Sequence, residues 1–337
     1  MRIGLALPQY DYSVPGHDPL TFDTIVEYAL LAERVGFDSL WCSDHLFLDI
    51  AKYGGSDEPR GVFDPIVTLA ALAREVPRVR LGTLVLLEAL RPATVLAKHL
   101  ASLDQVSGGR LDVGLGAGWY EPEYAAVGMS MPSPGVRLAR LREAVEVVRG
   151  LLGGGPLSFE GKYHVAQDAL NLPPAIQQPT PPVFVGGKGD RLLALAAELA
   201  DGWNTCWVWT PENYAERLRV LGQACEAVDR DPATVWRSLG LYALVGEDQH
   251  DLERRYERMR DAYPPGVLGE VGLDEYRQGR LVGTVEQVQE QIATWDGLGV
   301  ETLILGAGPL PFSVTSPDDV EILAETCCEA LRGDSDG

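Results

Sequence analysis

The sequence predicts an α/β protein, specifically a (β/α)8 TIM barrel with insertions, and three observations support this fold class. Short apolar segments alternate with amphipathic helical segments along the whole chain. Eight strand–helix units are visible, which is the number a barrel requires. The 337 residues exceed a typical barrel of about 250 residues, and the surplus falls in two irregular stretches. An open doubly wound sheet is the alternative, but the unbroken alternation of eight units favours the barrel.

The clearest strand–helix–strand unit lies in the first third of the chain. Residues 80–87 form an apolar run rich in Leu and Val, and apolar residues recur every three or four positions over 94–106. That spacing predicts one helix face. Gly108 ends the helix, and residues 111–115 predict the next strand. Two strands joined by a helix of this length must be parallel.

The other elements follow in regular order, as one domain over residues 1–332. The two insertions lie at about 153–182, with a small hairpin, and at about 248–283, which begins with a charged helix; residues 333–337 are expected to be a disordered tail. The other predicted strands are 3–7, 39–42, 183–185, 203–206, 238–245 and 302–305. The other predicted helices are 22–35, 65–74, 136–152, 191–199, 211–228, 285–298 and 317–331.

Composition excludes several function classes. The formal net charge of −21 disfavours nucleic acid and anionic membranes as partners. No apolar run approaches the roughly 20 residues that a membrane span needs, and no signal-peptide pattern is present. The five cysteines lack metal-site spacing, and their odd number argues against a full disulfide framework. We therefore expect a cytoplasmic protein without a metal site.

Candidate catalytic residues are set by position, because barrel active sites lie at the carboxyl ends of the strands. His45 follows the second strand, and imidazole changes its protonation near neutral pH, so it can donate or accept a proton. The alternative is a histidine that only caps a loop. Asp44 beside it would orient the ring, or is a plain turn residue. No residue order suggests a Ser/His/Asp triad.

A glycine-rich turn after the fifth strand is the candidate phosphate site. Gly186, Gly187 and Lys188 open the following helix, where backbone N–H groups and the helix dipole favour an anion. The alternative is that these glycines only form an ordinary tight turn. Arg280 would add a positive charge to the same ligand, or is an exposed surface arginine.

A second glycine-rich turn follows the fourth strand and contains Gly116, Gly118 and Trp119. Because α/β proteins bind ligands at such strand ends, we assign these three residues to cofactor binding. Trp119 and other tryptophans near strand ends would form the pocket wall against a planar ring system. Three acids near the same rim are expected to be solvated rather than catalytic; they are Glu88, Glu121 and Glu123. The pattern suits a cofactor enzyme acting on a small-molecule substrate.

The chain also resembles the luciferase-like monooxygenase superfamily, whose fold is the bacterial-luciferase barrel. The matching segments cover nearly the whole chain in the family's order, and their combination is specific although each piece alone is not. They are AERVGFDSLWCSDH (32–45), RVRLGTLVLL (78–87), LAKHLASLDQVSGGRLDVGLGAGW (96–119), RLREAVEVVRGLL (140–152), FEGKYH (159–164), PPVFVGGKGDRLLALAAELADGWN (181–204) and VGTVEQVQEQIATWDGLGVETLIL (282–305).

The resemblance implies a cofactor, which is the deazaflavin coenzyme F420 for hydride transfer or reduced FMN with oxygen. Ser43, Asp44 and His45 look more like the F420-dependent branch, where this Asp and His face the deazaflavin and the substrate. The resemblance puts the cofactor ring near Leu84 and Val85 and implies a non-proline cis peptide at or next to that pair.

One departure from the family concerns the substrate. The F420-dependent sugar-phosphate dehydrogenases carry a glutamate directly after the turn of the fourth strand, where this chain has Trp119. We therefore expect a less polar substrate. Glu121 is the nearby acid that could replace the missing glutamate, but nothing in the sequence supports that role.

Three functions follow from the resemblance. The first is F420-dependent hydride transfer to or from a small organic substrate. The second is an FMN-dependent monooxygenase supplied by a separate flavin reductase, and the third, more remote, is a non-catalytic flavin-binding protein. Members of the family often form dimers through the region around helices 2 and 3, which implies a homodimer. The apolar stretches 69–72 and 96–103 are candidates for this interface. These stretches also fit burial within one chain.

Overall fold

A computed structural model of the chain describes residues 1–333, and in it eight parallel strands close into a barrel. The predicted fold class is confirmed. The barrel strands are β1 (Arg2–Ala6), β2 (Ser39–Cys42), β3 (Arg80–Thr83, continued by Leu86–Leu87), β4 (Leu111–Gly116), β5 (Val183–Gly186), β6 (Gly202–Trp207), β7 (Trp236–Gly246) and β8 (Thr302–Gly306).

Strand pairing closes the barrel without an edge. β1 pairs with both β2 and β8, and β7 pairs with both β6 and β8, so every barrel strand has two neighbours. The register places Leu5 opposite Leu40 on one side and opposite Leu305 on the other. Because all eight strands run in one direction, their carboxyl ends form a single rim.

Eight helices surround the strands, and their ends agree with the sequence signals to within a few residues. Thr21 caps the first helix, and Gly36 ends it with φ of 104°. The helices are α1 (Phe22–Val35), α2 (Pro65–Glu75), α3 (Ala93–Ser107), α4 (Pro134–Leu152), α5 (Asp190–Leu199), α6 (Pro211–Glu226), α7 (Val285–Gly297) and α8 (Pro317–Gly333). Within residues 1–333, no helix combines the length and the apolar character that crossing a membrane requires.

Both insertions contain regular structure. The first holds an antiparallel hairpin of Leu157–Glu160 and Val165–Ala169, where the sequence predicted a small hairpin. The second begins with the helix Gln249–Ala262 and ends with a strand, Leu281–Thr284, that pairs with β7. The sequence predicted irregular structure for this last segment. It forms a strand because β7 continues to Gly246 and offers backbone hydrogen-bond partners to it.

Two further differences concern short segments. A helix at Glu121–Ala126 follows β4, where the sequence predicted only a loop. It begins with Pro122 in its first turn, but its six residues carry too little periodicity to be recognised. The predicted tail 333–337 lies outside the described residues except for Gly333, which ends α8.

The barrel interior is filled by aromatic side chains. Trp41 from β2 is fully buried and contacts the rings of Phe184 and Trp236, with centroid distances of 5.8 and 6.3 Å. Glycines on the neighbouring strands make room for it: a Cβ on Gly4 or Gly82 would lie 2.4 or 2.2 Å from the indole. The size of Trp41 therefore requires small residues on β1 and β3.

This packing predicts that Gly82→Ala destabilises the protein by about 1–3 kcal/mol, the usual cost of overpacking a filled core. Gly153→Ala is the matched control, because Gly153 ends α4 with φ of −79° and a Cβ there would meet nothing within 4 Å. Urea unfolding of the two variants measures the difference. Equal unfolding midpoints would contradict the tight fit around Trp41.

Candidate active site

A cavity of about 880 Å³, part of it open to solvent, lies at the carboxyl-end rim of the barrel. Its lining includes ten of the eleven residues predicted from the sequence to form the site: Asp44, His45, Leu84, Val85, Gly116, Gly118, Trp119, Gly186, Gly187 and Lys188.

One wall of the cavity is the break in β3. The peptide bond between Leu84 and Val85 is cis, as the family resemblance implied. The Val85 side chain lies between two glycines of the neighbouring strands: a Cβ on Gly116 would come within 2.5 Å of it, and a Cβ on Gly186 within 2.9 Å. These glycines therefore allow Val85 to sit on the cavity wall between β4 and β5.

The His45 ring is held by a buried carboxylate. Nδ1 of His45 lies 2.9 Å from Oε2 of Glu123, and the other oxygen, Oε1, accepts from the backbone N–H of Leu46 at 2.5 Å. Because a carboxylate only accepts, the Nδ1 of His45 carries the proton, which leaves Nε2 for a ligand. Trp119 and Tyr120 pack edge-on against the ring at 5.7 and 6.2 Å between centroids.

The acid that orients His45 is thus Glu123 and not the predicted Asp44. The carboxylate of Asp44 accepts from the backbone N–H of Leu87 at 2.8 Å and from the Arg91 guanidinium at 2.6 and 3.1 Å. Burial raises the pKa of Asp44, and the hydrogen bonds from Arg91 oppose that shift. Arg91 also contacts Asp64, which caps α2. Asp44 therefore ties the end of β2 to the end of β3.

Two buried, hydrogen-bonded hydroxyls lie near His45. The hydroxyl of Tyr10 is hydrogen-bonded to Oγ of Ser43, and both residues line the cavity. The Tyr10 ring lies 6.3 Å from the His45 ring between centroids and stacks on Tyr12. Burial raises the pKa of Tyr10 well above its ordinary value, so Tyr10 is a neutral phenol.

Two groups on the rim are available to a bound anion or polar ligand. Among the residues the structure describes, Lys188 has no carboxylate within 4.0 Å; its ammonium lies over the Trp209 ring, 4.7 Å from the centroid. Within residues 1–333, the buried hydroxyl of Thr205, another cavity residue, has no hydrogen-bond partner. Lys188 precedes α5, whose first N–H groups lack a capping side chain. A phosphate-bearing cofactor fits these groups.

Arg280 is the one predicted site residue that the structure does not bring to this cavity. Its guanidinium lies over the rings of Tyr276 and Tyr242, at 4.6 and 5.7 Å, and donates to the Tyr276 carbonyl at 2.9 Å. It lines a separate, smaller cavity with Trp209. Tyr242 stacks on Trp207, which lines the main cavity, so these two rings lie between Arg280 and the site.

Sequence reasoning missed Glu123 and Tyr10. The expectation that Glu88 and Glu123 are solvated is wrong, since both are buried, whereas Glu121 is exposed. Glu88 accepts from Arg140 and lies 2.8 Å from Nε2 of His164. The helix Glu121–Ala126 turns Glu123 inward, and this helix carried no usable signal. Tyr10 had a usable signal, because it comes three residues after the end of a predicted strand, where barrel active sites lie.

The arrangement can move one proton and hold a planar anionic cofactor. Nε2 of His45 can accept or donate a proton, Leu84, Val85 and Trp119 offer apolar surface, and Lys188 offers a charge for phosphate. Within residues 1–333, His, Cys, Asp and Glu form no group of three that could hold a metal ion. These features fit a flavin or deazaflavin.

Comparison with known proteins gives the family. The sequence model of the family described as luciferase-like monooxygenase matches residues 1–302. The chain is 30% identical over 315 residues to the F420-dependent hydroxymycolic acid dehydrogenase of Mycobacterium tuberculosis, covering 91% of this chain and 82% of that protein. It is 33% identical over 249 residues to the F420-dependent glucose-6-phosphate dehydrogenase of Amycolatopsis mediterranei, covering 73% and 71%.

Solved structures agree. The crystal structure of a monooxygenase from Streptomyces bottropensis superposes with a TM-score of 0.76 at 26% identity, covering 98% of this chain and 100% of that one. An F420-dependent secondary alcohol dehydrogenase, at 21% identity and a TM-score of 0.76, shares the fold over 98% of this chain and 99% of that one. By its sequence and its closed barrel, the chain belongs to the luciferase-like monooxygenase family.

Proposed function

We propose that this protein is an oxidoreductase that transfers a hydride between coenzyme F420 and a small organic substrate. The observation that carries the proposal is the His45–Glu123 pair, which presents Nε2 of His45 beside an apolar wall. Relatives that are 30% and 33% identical are named F420-dependent dehydrogenases, which favours F420 over FMN.

In this proposal the cavity residues have separate tasks. Leu84, Val85 and Trp119 hold the ring, with Gly116 and Gly118 leaving it space, and the turn of Gly186, Gly187 and Lys188 holds the phosphate. Bound F420 supplies the two-electron chemistry by accepting or donating a hydride at C5 of its ring. We leave Arg280 out of the binding site because it lines the separate cavity.

His45 handles the proton that accompanies the hydride. When a substrate alcohol is oxidised, neutral His45 accepts the hydroxyl proton at Nε2, and the Glu123 carboxylate stabilises the resulting imidazolium. In the reverse direction the imidazolium returns the proton to the carbonyl oxygen. Asp44 is a positioning residue here, since its oxygens are bonded to Leu87 and Arg91.

The second candidate function is an FMN-dependent monooxygenase fed by a separate flavin reductase. It is favoured by the likeness to the Streptomyces bottropensis monooxygenase. The more remote candidate is a non-catalytic flavin-binding protein, which the buried His45–Glu123 pair disfavours because binding alone does not need a positioned proton acceptor.

Binding of oxidised F420 and of FMN to the purified protein, measured by calorimetry at one salt concentration, separates these functions. We expect tight F420 binding and weak FMN binding. Tight binding of FMN alone would instead favour the monooxygenase, and oxygen uptake with a reductase would then be the next measurement. If neither binds, the cofactor assignment is wrong although the fold is unaffected.

His45→Ala should lower turnover at least about 100-fold, the usual range for a general acid–base group, with little change in F420 affinity. Glu123→Gln should lower turnover about 10- to 100-fold, as for a hydrogen bond to a charged group worth about 1.5–3 kcal/mol. Glu121→Gln is the matched control, since Glu121 is exposed on the same short helix. Unchanged turnover in His45→Ala would remove its catalytic role.

We further propose that the protein is a homodimer that buries an apolar surface beside α2 and α3. The stretches 69–72 and 96–103 do not supply it, because Leu69, Leu72, Leu96 and Leu100 are buried in the chain's own core. The first insertion lies against α3, where Lys98 donates to the Leu172 carbonyl at 2.6 Å. The large exposed apolar side chains in this region are Val67, Val95, Val106, Val165, Leu170, Leu172 and Ile176.

Sedimentation velocity tests the dimer. The wild-type chain should sediment as a dimer, and Leu172→Asp should shift it to monomer, because a charge placed in an apolar interface is not compensated. Val208→Asp is the control, since Val208 is similarly exposed but follows β6, away from α2 and α3. A monomeric wild-type protein would refute the dimer.

For its location we propose the cytoplasm. Cys42, Cys206, Cys225 and Cys327 carry free thiols, as is usual in reducing compartments.

A further inference from the structure

The direction of the hydrogen bonds around Ser43 fixes where the Tyr10 proton points. The Gln9 side chain donates through Nε2 to the carbonyl oxygens of Ser43 and Phe63, at 2.8 and 3.1 Å. A flipped amide would face two carbonyl oxygens with its own oxygen, which is unfavourable. Oε1 of Gln9 therefore faces the Ser43 backbone N–H, which donates to it at 2.6 Å.

Ser43 then donates its hydroxyl proton to the same acceptor. Oγ of Ser43 lies 3.3 Å from Oε1 of Gln9, and an amide oxygen cannot donate. Since the serine proton is used there, the Tyr10 hydroxyl must be the donor in the Tyr10–Ser43 hydrogen bond. The acidities agree, because a phenol is a stronger donor than an aliphatic hydroxyl.

The consequence is that the Tyr10 oxygen has lone pairs to offer but no proton. We infer that Tyr10 is a specificity-determining residue, which accepts a hydrogen bond from an N–H or O–H group of the bound ligand and discriminates against groups that only accept. The inference rests on the proposed function in taking this cavity as the ligand site. The donor group comes either from an N–H of the deazaflavin ring or from a hydroxyl of the substrate.

This acceptor complements His45. When the ring is neutral, Nε2 of His45 is also an acceptor, because Nδ1 holds the proton toward Glu123. The Tyr10 and His45 rings lie 6.3 Å apart between centroids on the same cavity wall. Two neighbouring acceptors suit a ligand with two donor groups, and an ether or ester oxygen placed at Tyr10 finds no partner.

Binding of phenol and anisole tests the inference, because the two probes differ in carrying or lacking the donor. Both dissociation constants are measured by ligand-observed NMR, with and without F420. The preference for phenol over anisole should fall about fivefold in Tyr10→Phe, the scale of one neutral hydrogen bond. It should also fall in Ser43→Ala, because Tyr10 can then donate to anisole. Tyr12→Phe is the control, since the Tyr12 hydroxyl donates to the Pro311 carbonyl.

The two sources of the donor give different results. If the substrate supplies the donor, Tyr10→Phe lowers the preference for phenol also when F420 is bound. If the cofactor supplies it, Tyr10→Phe weakens F420 binding about fivefold, and the phenol preference changes only in the cofactor-free protein.

The inference is overturned if Tyr10→Phe behaves like Tyr12→Phe toward F420 and both probes. A preference lost in Tyr10→Phe but kept in Ser43→Ala would refute the assigned proton direction. Failure of wild-type protein to bind F420 would contradict the proposed function instead, and the cofactor-free probes would still decide the role of Tyr10.

Discussion

The functional rim depends on the buried carboxylate of Glu123. One of its oxygens faces Nδ1 of His45 and the other accepts from the backbone N–H of Leu46, so a single side chain from the segment after β4 fixes both the ring and the loop after β2. In the barrel, β3 lies between β2 and β4, and its break at Leu84–Val85 therefore lies between the two segments that Glu123 connects. Asp44, at the end of β2, accepts from the N–H of Leu87 just after that break. The three consecutive strand ends therefore act as one unit.

The fold could be predicted from the sequence because its signals are local and repeated. Apolar runs marked the buried parallel strands, spacings of three and four marked the helices, and glycines such as Gly36 and Gly108 marked helix ends. What escaped prediction depends on partners distant in sequence. The strand Leu281–Thr284 exists because β7 extends far enough to pair with it, and the six-residue helix Glu121–Ala126 is too short for periodicity to appear.

The sequence predicted where the site lies better than it predicted which of its side chains are hydrogen-bonded to each other. The barrel rule located His45, Lys188 and the glycine turns, because it requires only knowing where strands end. It could not assign the partner of His45: Asp44 is adjacent in sequence, but its carboxylate faces Arg91, whereas Glu123 reaches the ring from 78 residues away. Burial of the carboxylates and the direction of the Tyr10 proton likewise follow from three-dimensional packing, which spacing along the chain does not contain.

The second insertion packs in a separate hydrophobic cluster, in which Leu252, Tyr256, Met259 and Tyr276 meet Leu244 of β7 together with Ile50 and Leu310 from two loops at the barrel rim. Its last segment returns to the strand from which it left, with Ala243 opposite Leu281 and Gly246 opposite Thr284. The insertion therefore begins and ends on one edge of β7, outside the pairing of the eight barrel strands. Its length between these two ends can change while that pairing and the His45–Glu123 pair stay as they are. Variation among relatives can thus accumulate beside the barrel mouth at little cost to the barrel.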